Sequence, residues 1–308
     1  MSENKAFSNT SPDAGRMAVI ANIEGACLES ELFSKVEIGD HVVTEKERAR
    51  VVLPFDLERR RPLNRLKSKM AQAIARRETL KINRESVVFG LENTEGITGG
   101  AIITCNHFNI IDNTIIRYMS ILRGREDKLN IVIQESNVFM KGYFGFLMRN
   151  CKTLPTSASP SYMSKRLKVA IGNLLSRGED ILIYPEAEMW FNYRKPRGSM
   201  PGAYYYAAEF GVPIIPCFVE MQSGDTVGPD GFYAVKHMLH VMPPIYPDPS
   251  LPRRERYLAM QREDDRLKRE CYERAYGIRL TPHADFLPER DIAGYRSVFA
   301  VAENKAAD

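Results

Sequence analysis

From Ser86 onward, short runs of consecutive apolar residues alternate with longer stretches in which apolar residues recur every three or four positions. The runs are SVVFG, AIITC (Ala101 to Cys105), NIVIQ (Asn130 to Gln134), DILIY (Asp180 to Tyr184) and PIIPCFV (Pro213 to Val219). Apolar runs of this length without alternation suit strands covered on both faces. Between them DNTIIRYMSILR, SKRLKVAIGNLLSRG and AYYYAAEFG carry helical spacing, and the last two end in glycine, where a helix C-cap places it. The alternation predicts an α/β fold with a mainly parallel mixed sheet flanked by helices, and helical N- and C-terminal extensions. The Pro-rich stretch from Met242 to Pro252 marks an exit from that domain, and Arg253 to Tyr276 reads as a helix of mixed charge, either facing solvent or packed across the domain. The expected division is 1–84, an N-terminal extension; 85–250, the α/β domain; and 251–308, a charged helix and tail. Residues 1 to about 15 and the last ten or so are expected to be disordered.

Composition adds little until charge is mapped along the chain. The 308 residues are 44% hydrophobic and carry a net charge of +4, which excludes a wholly disordered chain. Yet residues 59–84 hold ten Lys/Arg against the single acid Glu78, so this segment is +9 and the remainder −5. Within it Leu63, Leu66, Met70 and Ile74 recur at three- and four-residue spacing, predicting a basic amphipathic helix. Such a helix either lies on an anionic membrane or a nucleic acid, or packs its apolar stripe on its own domain. No recognised nucleic-acid-binding module accompanies it, which disfavours that partner. The longest apolar stretch, Phe210 to Val219, is about half of what a membrane-spanning helix needs. The first 25 residues lack the pattern of a secretory signal. The expected location is therefore cytoplasmic, with peripheral attachment to the inner face of the membrane as the variant the basic helix suggests. Five widely spaced cysteines (27, 105, 151, 217 and 271) fit reduced thiols better than disulfides or a CxxC metal site.

The sharpest local signal is TCNHFNIIDN, where His107 and Asp112 follow directly on the strand Ala101 to Cys105. A histidine just past the carboxyl end of an α/β strand stands where such folds place their sites. On one continuous helix, side chains five residues apart point about 140° away from each other and cannot touch. For the pair to meet, His107 must sit in the turn and Asp112 in the first turn of the next helix. There the carboxylate would fix the tautomer and leave the other ring nitrogen as a base. The competing reading makes Asp112 a helix N-cap and His107 an incidental loop residue. Cys105 reads as a core residue rather than a thiol nucleophile, no GxSxG elbow is present, and the five histidines show no paired-ligand spacing.

NHFNIID resembles the NHxxxxD block of the glycerolipid acyltransferase superfamily, whose members acylate glycerol-3-phosphate, lysophosphatidic acid and other lysophospholipids. Three further blocks follow in the family's order. Gly145-Phe146-Leu147-Met148-Arg149 ahead of KTLPTS resembles the second, Tyr184-Pro185-Glu186 the start of the third, and Val212-Pro213-Ile214-Ile215-Pro216 the fourth. The similarity runs from about Asn83 to Pro244. It implies direct transfer without an acyl-enzyme: His107, oriented by Asp112, takes the proton of an acceptor hydroxyl that attacks an acyl-CoA or acyl carrier protein thioester. No metal or cofactor is implied beyond that thioester co-substrate. Asn106, Arg149 and Glu186 are implied in substrate binding, Arg149 as a phosphate ligand and Glu186 as part of the acceptor site beside the histidine.

The chain also departs from the family. Where the third block usually reads PEG-Thr-Arg-Ser, this chain has Pro185-Glu186-Ala187-Glu188-Met189-Trp190, losing the glycine and the arginine and gaining an acid. A second carboxylate repels a phosphate. The downstream Arg194, Lys195 and Arg197 are expected to replace the lost charge, with Trp190, Phe191 and Tyr193 as an apolar wall. The lysine the family commonly has ahead of the next glycine-alanine pair is also missing in Met200-Pro201-Gly202-Ala203. A similar third block occurs in bacterial members without transmembrane helices. Three functions stay in play: an acyltransferase for a lysophospholipid or glycerol-phosphate acceptor, one for a non-phosphorylated acceptor such as an amino lipid, and a non-catalytic lipid- or partner-binding protein of the same fold.

Overall fold

The computed structural model describes residues 12–39, 41–52 and 62–296. Arg59, Arg60 and Arg61, the first eleven residues and those after 296 lie outside the described residues, and with them most of the expected tails.

Seven strands form one sheet in the order β1-β7-β6-β2-β5-β3-β4. They are β1 (Val87–Phe89), β2 (Ile102–Thr104), β3 (Leu129–Ile133), β4 (Thr153–Pro155), β5 (Asp180–Ile183), β6 (Ile214–Val227) and β7 (Tyr233–Val241). Every pairing is parallel except β6 with β7, a hairpin that makes the sheet mixed. The five predicted runs are all strands. The alternating segment YAVKHMLHV of β7 has no continuous apolar run, which is why sequence pattern alone passes over it.

Side chains alternate across the pleat, so each strand feeds two cores. On one face Ile103, Ile131, Leu182, Ile215 and Leu239 pack against Ile115, Ile116 and Met119 of α4 (Asn113–Leu122). On the other, Ile102, Ile181 and Ile214 meet Ile171, Leu174 and Leu175 of α6 (Lys168–Ser176), and Tyr204, Ala207 and Ala208 of α7 (Gly202–Phe210). Between these lie α5 (Gly142–Asn150) and a π-helical turn, Tyr162–Leu167.

The charged C-terminal helix α8 (Arg253–Tyr276) packs across the domain, burying Met260, Asp264, Lys268, Cys271 and Tyr272 on one face. Lys268 donates to Asp264 at 2.8 Å, and Asp264 also accepts Thr104 Oγ1 at 3.1 Å. The mixed charge of this helix therefore includes a buried pair under the end of β2. Upstream, α1 (Pro12–Leu28) begins inside the segment expected to be disordered. Its Val19, Ile20 and Ile23 are buried against Trp190, Phe191 and Tyr193. A short α2 (Glu45–Val52) and a terminal turn α9 (Pro288–Asp291) complete the described helices.

The basic helix forms as α3 (Pro62–Ile82), but its buried face is not the predicted one. Ala71, Ala75 and Thr79 are buried, with Asn83 just past the end, whereas Leu63, Leu66 and Met70 are 62%, 57% and 52% exposed. Small side chains let α3 approach α4 and α5 closely, Asn83 Nδ2 donating to Thr114 Oγ1 and Ser68 Oγ to the Asn150 carbonyl. The reading in which the apolar stripe packs on its own domain is thus corrected. Leu63, Leu66, Met70, Ala73, Arg77 and Leu80 instead form an outward seam with 3-4-3-4-3 spacing. Among the described residues no helix is long and apolar enough to cross a membrane.

Candidate active site

Because β2, β5 and β3 are parallel neighbours, residues following their carboxyl ends share one edge of the sheet. His107 comes from β2, Tyr184 and Glu186 from β5, and Gln134 from β3. His107 lies in the turn before α4 and Asp112 occupies the N-cap position of that helix, the arrangement their spacing requires. The Asp112 carboxylate makes no capping bond to α4. Oδ2 accepts from His107 Nδ1 at 2.5 Å and from the Phe108 amide at 3.2 Å, and Oδ1 accepts from the Tyr184 hydroxyl at 2.7 Å. The plain N-cap reading of Asp112 is thereby set aside. Asp112 is 3% exposed, while the His107 side chain is 22% exposed and, among the described residues, only its Nδ1 is taken by a protein group.

The histidine's backbone is held as firmly as its ring. Glu186 Oε2 accepts the His107 amide at 3.2 Å, and the Trp190 amide donates to the His107 carbonyl at 3.1 Å. Two residues on, the Asn192 amide donates to the Phe108 carbonyl, and Asn109 Nδ2 bonds Asn192 Oδ1. The loop 186–192 thus wraps the turn 107–109. Folding it back needs left-handed backbone at Ala187 (φ 64°) and Asn192 (φ 49°), which asparagine tolerates and alanine adopts at a cost of roughly 1 kcal/mol. The family's usual glycine at position 187 has its physical reason here.

Several residues expected to bind substrate serve the scaffold instead. Asn106 is 2% exposed and closes a pair of bonds with β6, its Nδ2 donating to the Val219 carbonyl and its Oδ1 accepting the Val219 amide. Arg197 is buried, stacks on Trp190, and donates through Nε and Nη2 to Glu186 Oε2 at 3.2 and 3.1 Å. Lys195 is fully buried beside Asp291 at 3.2 Å and donates to the Pro282 carbonyl. Arg194 holds the carbonyls of Arg290 and Met221 and the hydroxyl of Ser223. This basic cluster was expected to replace a lost phosphate ligand. It is corrected to a clamp joining the loop after β5 to the N-terminal segment, which Arg197 reaches through the Leu32 carbonyl, and to the C-terminal turn. Glu186, 3% exposed, faces Arg197 and the His107 backbone. Trp190, Phe191 and Tyr193 are buried in the α1 interface instead of forming an open wall.

Arg149 is the exception, since it remains exposed on α5. Its Nη1 donates to the carbonyls of Val138 and Met140, closing the 3-10 turn Glu135–Phe139 that follows β3. Gly145 belongs to the same device: a Cβ there would lie 1.7 Å from the Met140 carbonyl oxygen. At the neighbouring strand end, Gln134 Nε2 donates to Glu188 Oε1 at 2.7 Å.

Electrostatics separates the groups further. Burial pushes the Cys105 thiol well above its ordinary range, which makes it a poor nucleophile. Burial, and secondarily the Asp112 charge, also push Tyr184 well up, so its hydroxyl stays protonated and donates. His237, in ring contact with Phe108, is drawn down to about 4 by burial and stays neutral at pH 7. Sequence reasoning singled out neither Tyr184 as a partner of Asp112 nor His237, because both contacts are long-range. Among the described residues no group of three or more His, Cys, Asp or Glu side chains is arranged to hold a metal ion.

A model of the family described as Acyltransferase matches residues 84–220. No curated protein matches the chain by sequence. Among solved structures, the chain is similar to the 1-acyl-sn-glycerophosphate (LPA) acyltransferase PlsC from Thermotoga maritima, with 16% identity over 83% of this chain and 95% of that one, and a TM-score of 0.43. Residues 84–220, which hold the His107–Asp112 pair, thus match the Acyltransferase family model.

Proposed function

We propose that this acyltransferase moves a fatty acyl group from an acyl thioester, of CoA or acyl carrier protein, to a hydroxyl of a lysophospholipid or glycerol-phosphate acceptor. The observation that carries this reading is the 2.5 Å contact between His107 Nδ1 and a carboxylate locked from two further sides. It fixes the tautomer with the proton on Nδ1 and leaves Nε2 as the base. Nε2 takes the proton of the acceptor hydroxyl as its oxygen attacks the thioester carbonyl. The C–S bond breaks, an ester C–O bond forms, and the imidazolium returns the proton to the departing thiolate. Asp112 stabilises the imidazolium in between. A positioned base of this kind contributes roughly 10² to 10⁴ in rate. Thiol release should therefore require acceptor and fall by about that factor in His107→Ala at unchanged melting temperature. Release that ignores the acceptor, or survives the substitution, would sink the reading.

A second acceptor class, a non-phosphorylated lipid alcohol, is favoured by the internal engagement of Lys195 and Arg197 and by Met189 standing where the family carries an arginine, with the acid Glu188 beside it. Running lysophosphatidic acid, glycerol-3-phosphate and a lyso-amino lipid side by side decides between them, phosphate acceptors relying on exposed Arg149.

The reading places the enzyme on the cytoplasmic face of an anionic membrane, docked through α3. Its exposed seam of Leu63, Leu66 and Met70 is flanked by Arg65, Lys67, Lys69, Arg76 and Lys81. Each basic residue near an anionic surface contributes about 1 kcal/mol, and apolar insertion adds to it. Leu66→Glu with Met70→Glu should lower binding to phosphatidylglycerol vesicles at least about tenfold without changing turnover of a micellar acceptor. Equal binding by the double variant, or binding to DNA instead, would remove this surface.

A further inference from the structure

The Tyr184 ring stacks on His107, with centroids 4.1 Å apart and planes 13° from parallel, while its hydroxyl donates to Asp112 Oδ1 at 2.7 Å. One side chain thus touches both members of the pair from outside their own turn. We propose that Tyr184 is a positioning residue that sets the basicity and orientation of His107 through two opposed contacts, its hydroxyl on Asp112 and its ring face on the imidazole. The proposal rests on the reading of His107 as the base.

The geometry gives each contact a sign. A hydroxyl donating to the carboxylate draws charge from it, so Asp112 stabilises the imidazolium less and His107 is a weaker base than with an unshared carboxylate. The ring face acts the other way, because the aromatic quadrupole favours a cation stacked over it. The hydroxyl bond also pins the carboxylate. Without Tyr184, Asp112 would keep only the bonds to His107 Nδ1 and the Phe108 amide, both from its own turn. Its carboxylate would then be held by that turn alone. With Tyr184, the pair is tied to β5, which also supplies the Glu186 that holds the His107 amide. Two adjacent strands thereby fix the base at their shared edge of the sheet. A weaker base surrenders its proton to the departing thiolate more readily, so the hydroxyl favours the second half of the transfer while the locked geometry favours the first.

Two variants separate the contacts. Tyr184→Phe removes the hydroxyl and keeps the ring, and Tyr184→Leu removes both. Titration of the His107 ring followed by nitrogen-15 NMR reads basicity without reference to turnover. The titration should differ from wild type in Tyr184→Phe, and Tyr184→Leu should change it in the opposite sense to the hydroxyl effect. In thiol-release assays kcat should drop roughly 5- to 30-fold in Tyr184→Phe with KM for both substrates nearly unchanged, and the acid limb of the pH profile should follow the NMR shift. In an Asp112→Asn background the Tyr184→Phe change should have little further effect.

A His107 titration that is the same in wild type and Tyr184→Phe overturns the proposal, as does full additivity with Asp112→Asn. If the titration shifts as described while His107→Ala keeps full activity, the Tyr184 contact stands and the base assignment falls. Should Tyr184→Leu fail to fold, Tyr184→Phe against wild type still decides the sign of the hydroxyl effect.

Discussion

Two charged clusters flank the loop after β5, and they use their charges in opposite ways. In the first, His107, Phe108 and Tyr184 satisfy both oxygens of the Asp112 carboxylate, and among the described residues the other ring nitrogen of His107 has no protein partner. In the second, Arg197 with Glu186 and Lys195 with Asp291 close on each other behind buried aromatic rings. On the proposed reading the first lets a proton come and go, whereas the second ties the N-terminal segment and the C-terminal turn to the loop after β5. They meet at Glu186, whose one carboxylate holds both the His107 amide and the Arg197 guanidinium. The lesson is that a run of basic residues beside a site need not be substrate ligands: with buried carboxylates in reach, their place is decided by desolvation.

The largest effects should come from exchanging what is measured in the two clusters. His107→Ala is expected to cost activity and almost no stability. Lys195→Ala leaves Asp291 buried without its lysine, and Arg197→Ala leaves Glu186 without its guanidinium. Breaking one partner of such a pair costs about 3–5 kcal/mol. Urea unfolding should show that loss for either variant, while the acceptor KM of whatever fraction stays folded changes little. A variant of normal stability with a sharply raised KM for a phosphate acceptor would return these residues to the binding role their sequence suggests.

How far the sequence foretold this follows from the range of the interactions involved. The five continuous strands, the helices between them and the turn placing His107 against Asp112 were legible because they depend on residues close together in the chain. The parallel sheet and its active edge followed from their alternation. The roles of Lys195 and Arg197 were not legible, since Asp291 is 96 residues beyond the one, and the other shares Glu186 with a histidine 79 positions upstream of that acid. The direction in which α3 turns its apolar stripe was equally hidden. Periodicity gives a face but not what covers it, and here two alanines made the better contact. Tyr184 was visible as a letter in a block, but its bond to Asp112 spans 72 residues and needs two adjacent strands.

The smallest predicted effect tests how dry the surroundings of the two clusters are, because a buried histidine stands beside the first and another within the second. His237 packs against Phe108 beside the first, and His283 accepts or donates at the Tyr193 hydroxyl within the second, at 2.7 Å. Burial pulls both down to about 4, with the Lys195 and Arg197 charges also lowering His283. The sign follows from proton counting. Above pH 6.5 neither the folded nor the unfolded state protonates these rings, so they leave stability unchanged. Below it the unfolded chain binds protons that the native one refuses, so stability falls as pH drops from about 6.5 towards 4. Each histidine contributes up to about 1.4 kcal/mol per pH unit in that window. Replacing His237 or His283 by Gln should remove about that much slope each, read from urea midpoints at pH 7, 6 and 5, whatever either change does to stability at pH 7. If only the His283 variant flattens the profile, the turn around Phe108 admits water and the first cluster is wetter than the second. A profile that neither substitution alters would show both rings to be protonated in place, and the contrast between an open site and a dry clamp would rest on the lysine and arginine pairs alone.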